Sequence, residues 1–155
     1  MLLDKQTFST VVEATPLISI DLVVRNAKGL ILLGERLNRP AQGYWFVPGG
    51  RILKGEPISE AFKRLTMVEL GVEIDISTAR YVGLYEHFYD DSVLGEDIST
   101  HYVVNGFEIN LPHDAKQFPK DQHSAYQWMA ESELLLSDKV HVHSKWYFEK
   151  DKGFI

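Results

Sequence analysis

Residues 49–72 hold the densest set of groups that could do chemistry: Gly49-Gly50-Arg51, then Glu56, Arg64 and Glu69, closing on Gly71-Val72. Residues 57–70 suit an amphipathic helix, with Pro57 in its first turn and Gly71 just past its end. On such a helix, positions 65, 68 and 69 fall within an arc of about 100°. Carboxylates at all three would repel one another unless divalent cations neutralised them, so that face would suit several Mg²⁺ ions bridged by phosphates. Here Leu65 and Val68 take two of the three places and only Glu69 remains. One carboxylate supports about one Mg²⁺ with few protein ligands, water and substrate phosphate supplying the rest. The plain alternative is a core-facing helix with one glutamate at its edge, since Ile58, Ala61, Phe62 and Leu65 form an apolar stripe at helical spacing. Glu56 and Arg64 have a structural alternative too, a helix-dipole partner and a salt bridge.

A second charge stands out upstream. Asp21 lies within an otherwise apolar stretch, and a carboxylate is costly to bury without purpose. The six histidines carry less information. His141 and His143 are two apart and no HExxH pattern exists, which speaks against zinc; His101 and His113 have no motif around them.

The elements that must position these groups alternate between strand and helix patterns. Residues 4–14 suit a short amphipathic helix stopped before Pro16. Leu17 to Arg25 reads as a strand, Asn26-Ala27-Lys28-Gly29 as a turn, and Leu30 to Arg36 as the hairpin partner. A loop over 38–43 precedes a short strand, Tyr44 to Val47, which runs into Pro48-Gly49-Gly50. Tyr81–Tyr89 and His101–Ile109 read as two more strands, joined by an acidic segment from Asp90 to Ser99. A polar loop over 111–124 leads to a short strand at 126–129, and the chain reads as helical from Glu131 onward. Strands mixed with two or three helices predict a helix–sheet–helix sandwich, an α/β (α+β) class with a mixed sheet, in one domain over residues 1–155.

Composition excludes several classes. The net charge of −6 argues against general nucleic-acid or anionic-membrane binding, both of which rely on a basic surface. With no cysteine there is neither a disulfide framework nor thiolate catalysis. No stretch approaches the ~20 apolar residues of a membrane span. Asp4 and Lys5 interrupt any signal-peptide pattern, so a cytoplasmic protein is the expectation.

The spacing of residues 50–72 resembles the Nudix box, Gly-x5-Glu-x7-Arg-Glu-U-x-Glu-Glu-x-Gly-U with U aliphatic. Gly50, Glu56, Arg64, Glu69, Gly71 and Val72 match it. Leu65 and Val68 stand where that family has glutamates, and Thr66 where it has an aliphatic. The likeness extends over nearly the whole chain to GDP-mannose mannosyl hydrolases, a divergent Nudix branch that also lacks those glutamates. It is carried by Thr15-Pro16-Leu17, by residues 38–51 (NRPAQGYWFVPGGR), by Arg64-Leu65-Thr66-Met67, by His87-Phe88-Tyr89-Asp90-Asp91, and by Thr100-His101-Tyr102-Val103-Val104.

That resemblance implies the Nudix fold and hydrolysis of GDP-mannose to GDP and mannose, by water attack at the anomeric carbon with inversion. Attack on a doubly anionic diphosphate needs several metals to relieve repulsion. Attack at carbon chiefly needs a good leaving group. The branch implies one Mg²⁺ per subunit, with Mn²⁺ able to substitute, held by the Gly49 carbonyl, Glu69 and Gln122. It implies His123 as general base, in a loop rich in Lys, Asp and Pro; histidine, with an unperturbed pKa of about 6.5, is a residue type suited to that task. Arg36 and Arg51 are the candidates for stabilising the leaving group, since guanidinium pairs suit phosphate oxygens. Tyr102 is a further donor to the diphosphate, whereas Arg39 and Arg80 read as surface residues. Asp21, paired with His87, would contact the sugar or steady developing positive charge; the structural alternative for both is a satisfied hydrogen bond in the core. Arg64 is expected to orient the box carboxylates and Glu56 to be mainly structural. A homodimer is typical of the branch, and the acidic segment around Asp90, Asp91, Glu96 and Asp97 is either a solvated loop or a reach toward a second site. GDP-glucose is a second candidate substrate, because the two sugars differ in the direction of one hydroxyl. Two rivals stand beside this reading: a Nudix pyrophosphohydrolase attacking phosphorus, and a non-catalytic nucleotide-sugar sensor.

Overall fold

The computed structural model describes residues 3–111, 118 and 123–154, with the backbone alone for His123 and Ser124. The first helix, α1 (Lys5–Ala14), starts where the Asp4 carboxylate accepts hydrogen bonds from the Thr7 N–H at 2.8 Å and hydroxyl at 2.9 Å. It stops at Thr15, ahead of Pro16. Strand β1 (Leu17–Arg25) follows, and β2 (Ile31–Arg36) returns antiparallel to it. Then come β3 (Trp45–Phe46), β4 (Gly49–Arg51), α2 (Ile58–Leu70), β5 (Arg80–Tyr89), β6 (Thr100–Asn110), β7 (His123–Met129), α3 (Glu131–Leu136) and α4 (Val142–Lys145).

The seven described strands form one mixed sheet with the path β3-β2-β1-β6-β5; β4 attaches to β1 and β7 to β2. Strand β1 pairs parallel with β6 along its whole length, from Leu17↔Tyr102 to Arg25↔Asn110. Its other edge is divided. It meets β2 only at Arg25↔Ile31, and β4 takes over from Ser19 to Asp21. The sheet therefore opens between β1 and β2, and the Gly49-Gly50 turn enters the gap.

Burial explains the layers. Ile20, Leu22 and Val24 of β1 point to one face and pack with Phe62 and Leu65 of α2. Val23 points to the other, where Leu134, Val140 and Tyr147 of the C-terminal segment cover it with Val104 and Leu33. The result is the expected α+β sandwich of helix, mixed sheet and helix. Gly71, at φ 76°, ends α2 in the left-handed region and returns its N–H to the Met67 carbonyl.

Thr66 shows what a hydroxyl adds at a position the box gives to an aliphatic residue. It is fully buried; its Oγ1 donates to the Lys63 carbonyl and accepts from the Ile74 N–H, both at 3.0 Å. That second bond ties the chain beyond Gly71 back to the helix. Thr66→Val keeps the shape and leaves the Ile74 N–H unpaired, so a loss of about 1–2 kcal/mol is expected in urea unfolding.

Three local expectations need correction. Residues 49–51 form a strand rather than a turn alone, because the outer edge of β1 is otherwise unpaired there. His123 opens β7 instead of lying in a loop, and is the register partner of Arg36. The C-terminal segment is not one helix. After α3 it extends so that Val140 bridges to Trp45 and buries its side chain, and only then forms α4 and a 3-10 turn at Trp146–Phe148.

Candidate functional site

The site begins at the junction of β4 and α2. Arg64 donates from Nε to Glu56 Oε2 at 2.7 Å, and from Nη2 to Glu56 Oε1 at 2.9 Å and the Arg51 carbonyl at 2.8 Å. Glu56 in turn accepts the Leu53 N–H at 3.0 Å. The hydrogen bond from Arg64 is the main reason the Glu56 carboxyl sits below its usual range. This pair clamps the loop between β4 and the helix, which fixes where Gly49, Gly50 and Arg51 stand.

The two glycines are packed from both sides. A Cβ at Gly50 would lie 2.4 Å from Leu65 Cδ2, so the buried Leu65 covers Gly50 directly. A Cβ at Gly49 would lie 2.3 Å from Asp21 Oδ1 and 2.5 Å from the Ile20 carbonyl oxygen. Only glycine lets β4 approach β1 and the Asp21 carboxylate this closely. Glu69 is 1% exposed on the same helix as Leu65, while Val68 is 38% exposed at its edge.

A cavity of about 510 Å³ opens beside this turn, and Asp21, Arg36, Gly49, Arg51, His87 and Tyr102 all line it. Five strands thus bring together six residues that the sequence placed far apart. Leu17, Ser19 and Asp21 of β1 reach it because alternate residues of a strand share a face. Arg36 follows a slip in the β2–β7 register between Gly34 and Arg36, the kind of irregularity that re-aims a side chain. The His123 backbone lies beside it as its register partner. Gln122 lies outside the described residues.

The arginines divide by surroundings. Arg25, Arg39, Arg64 and Arg80 are engaged with carboxylates. Arg36 and Arg51 instead lie over the Phe46 and Phe8 rings, at 5.6 and 5.2 Å, inside the cavity lining. Arg39 holds Glu96 at 3.1 Å and Asp91 at 3.8 Å, so the acidic segment is tied to the loop over 38–43.

Burial pushes the Asp21 carboxyl up to about 7, against a hydrogen bond from Tyr147 and the charge of Arg36 and with the charge of Glu69. Burial likewise raises the Tyr102 hydroxyl, which stays protonated as a donor. Asp21 does not pair with His87. Tyr147 OH donates to Asp21 Oδ2 at 2.5 Å, and His87 stacks on His143 at 4.3 Å with their planes 10° apart. The imidazole stack replaces the expected carboxylate contact.

Tyr147, His143, His141, Tyr89 and Phe46 were not foreseen around this site. Their rings interlock: His141 stacks on Phe46 at 4.7 Å, and Tyr89 meets His143 edge-on at 4.8 Å. Burial holds His87 down to about 3 and both His141 and His143 to about 4. These imidazoles are neutral when folded, whereas an unfolded histidine gains its proton near ~6.5. Stability is therefore full above about pH 6.5 and falls as the pH drops toward the folded values. Asp21 acts in the opposite sense, since its folded carboxyl takes a proton near 7 and its unfolded one only near 3.8. Three unfolded-state protons outweigh one. Melting measured without divalent cations should show a lower transition at pH 5.5 than at pH 7, and His143→Asn should flatten that dependence.

The oxygen groups at hand are the Gly49 carbonyl and the Asp21 carboxylate in the cavity wall, with Glu69 buried on α2, outside the cavity lining but close enough for its charge to act on Asp21. Oxygen donors of this kind fit a hard divalent cation. Among the described residues no three His, Cys, Asp or Glu side chains converge on a common metal position.

The NUDIX domain family model matches residues 15–149. The chain belongs to the Nudix family. The low-salt glycan biosynthesis protein Agl8 of Haloferax volcanii is 43% identical over 107 residues, 69% of this chain and 67% of that protein. Among solved structures, a MutT protein from Methanosarcina mazei Go1 superposes with a TM-score of 0.72 at 22% identity, covering 88% of this chain and 94% of that one. The NUDIX domain of Shewanella oneidensis NrtR, complexed with ADP ribose, superposes with a TM-score of 0.64 at 15% identity, covering 94% and 97%. Both structural likenesses show the Nudix fold. Nudix hydrolases generally use divalent metals such as Mg²⁺. No helix among the described residues is long and apolar enough to cross a membrane.

Proposed function

We propose that this Nudix protein hydrolyses GDP-mannose to GDP and mannose by water attack at the anomeric carbon, with inversion, GDP-glucose being a second substrate. The observation that carries this reading is Leu65 packed onto Gly50. Where several acids would gather metals for attack on phosphorus, the helix presents a buried methyl group to the turn. The residues around the cavity are suited to a leaving group instead. The relative named for glycan biosynthesis is in keeping with a sugar-nucleotide substrate. ADP ribose, bound by a neighbour of the same fold, is likewise a sugar joined to a nucleoside diphosphate.

In this reading Arg36 and Arg51 bind the diphosphate from two sides of the cavity. As the bond to the anomeric carbon breaks, negative charge grows on the departing GDP, and the two guanidinium groups and the Tyr102 hydroxyl absorb it without reorganising. Gly49, Glu69 and Gln122 would hold one Mg²⁺, or Mn²⁺ in its place, and that ion supplies further neutralisation of the diphosphate. His123 accepts the proton of the attacking water. Asp21 and His87 stand at the sugar end, where Asp21 steadies the positive charge of an oxocarbenium-like state. The protein acts as a single cytoplasmic domain that forms a homodimer, with neither nucleic acid nor a membrane as partner.

The test is incubation with GDP-mannose and Mg²⁺, followed by proton NMR of the fresh products. Free GDP with β-mannose appearing before its α-anomer supports the reading. GMP with mannose 1-phosphate would overturn it in favour of phosphorus attack.

A further inference from the structure

The register row that holds Asp21 crosses the sheet as Asp21, Gly106 and Gly83, on β1, β6 and β5. Two adjacent positions without side chains leave a trough on the cavity face, and the C-terminal segment fills it. A Cβ at Gly106 would meet Tyr147 Cε1 at 2.9 Å, and one at Gly83 would meet the Phe154 carbonyl oxygen at 2.9 Å. Tyr85 meets the Tyr147 ring edge-on at 4.6 Å, so the ring is gripped from the side as well. Held there, the Tyr147 hydroxyl reaches Asp21 Oδ2, while Asp21 Oδ1 rests against Gly49. Each oxygen of the carboxylate thus has its own neighbour, one held by a hydrogen bond and the other close against the Gly49 backbone.

We propose that Tyr147 is a positioning residue for the sugar half of the substrate: its hydroxyl fixes the Asp21 carboxylate in the cavity wall, so that Asp21 reads the hexose rather than the nucleotide. Tyr147 is 9% exposed and does not itself line the cavity, so it acts through Asp21. The inference rests on the functional reading above, in which Asp21 stands at the sugar end. A carboxylate that has lost its hydrogen bond swings or collapses onto another donor, and a bond to a charged acceptor is worth roughly 10- to 100-fold in an equilibrium or a rate.

Tyr147→Phe removes the hydroxyl and keeps the ring that fills the trough. Calorimetric titration with GDP-mannose and with GDP, in Mg²⁺, separates a sugar effect from a general one. The expected result is GDP-mannose binding weakened roughly 10-fold relative to GDP, with GDP affinity unchanged. Turnover should fall in kcat by about 10- to 100-fold, and Tyr147→Phe added to Asp21→Ala should cost nothing more, because the carboxylate that Tyr147 positions is already gone. Tyr85→Phe, which alters the neighbouring ring and not the bond to Asp21, should change neither ratio nor kcat. Equal weakening of both ligands, or additive losses in the double variant, would overturn the inference and leave the functional reading standing. A wild-type protein that binds GDP-mannose without turning it over still decides the matter through the affinity ratio. One that binds neither ligand overturns both.

Discussion

His123→Gln is expected to lower kcat for GDP-mannose by about 10²–10⁴-fold while leaving substrate affinity within a few-fold. The size of the effect follows from the reaction: water is a poor nucleophile until a base takes its proton, and glutamine cannot do so. The backbone position is in keeping with that role. His123 opens β7, and the strand is registered against β2 from Arg36↔His123 to Ile31↔Met129. Its backbone is thus held beside Arg36, whose side chain lines the cavity. Glutamine preserves polarity and approximate reach, so the fold should be unaffected and the melting temperature should move little. Full activity in this variant would move the base elsewhere, with His87 the next residue to test because it lines the same cavity.

The second large effect concerns stability. Leu65→Glu restores a box glutamate, yet it should destabilise the protein by roughly 3 kcal/mol or more, because it buries an unpaired carboxylate. Leu65 is 3% exposed, packs with Ile20, Leu22 and Phe62, and covers Gly50. For a chain of this size that corresponds to a fall of about 6–12 °C in Tm. Melting in a chelator measures it. No gain of GMP formation is expected, since Val68 still leaves the acidic cluster incomplete. A stable variant producing GMP and mannose 1-phosphate would show that the missing carboxylate alone decides which atom is attacked.

Some of this was legible in the chain because the signals were local. Pro57 and Gly71 bracket α2, and the aliphatic and β-branched run from Leu17 to Arg25 marks β1, so helix and strand follow from neighbouring residues. Strand β4 was not legible, since glycines are poor strand formers and this strand exists because β2 leaves the edge of β1 free from Ser19 to Asp21. The Lys, Asp and Pro before His123 suggest irregular backbone, whereas its pairing with Arg36 is a contact made in three dimensions. The partner of Asp21 was the hardest to foresee. Tyr147 lies 126 residues away and in the sequence is one aromatic among Trp146, Tyr147 and Phe148. The usable clue was Gly106, a glycine in the interior of a long strand, which marks a place where something approaches closely. The pair His141 and His143 was visible and set apart from zinc, but nothing in its spacing pointed to stacking on His87.

Everything proposed for this site turns on water reaching carbon and not phosphorus. Hydrolysis of GDP-mannose with Mg²⁺ in heavy-oxygen water, with the products weighed by mass spectrometry, decides between the two atoms. Attack at carbon predicts label in mannose and none in the GDP released. Label in GMP or in mannose 1-phosphate would contradict it, and with it the reading of Leu65 and Val68 as the mark of a carbon-attacking site.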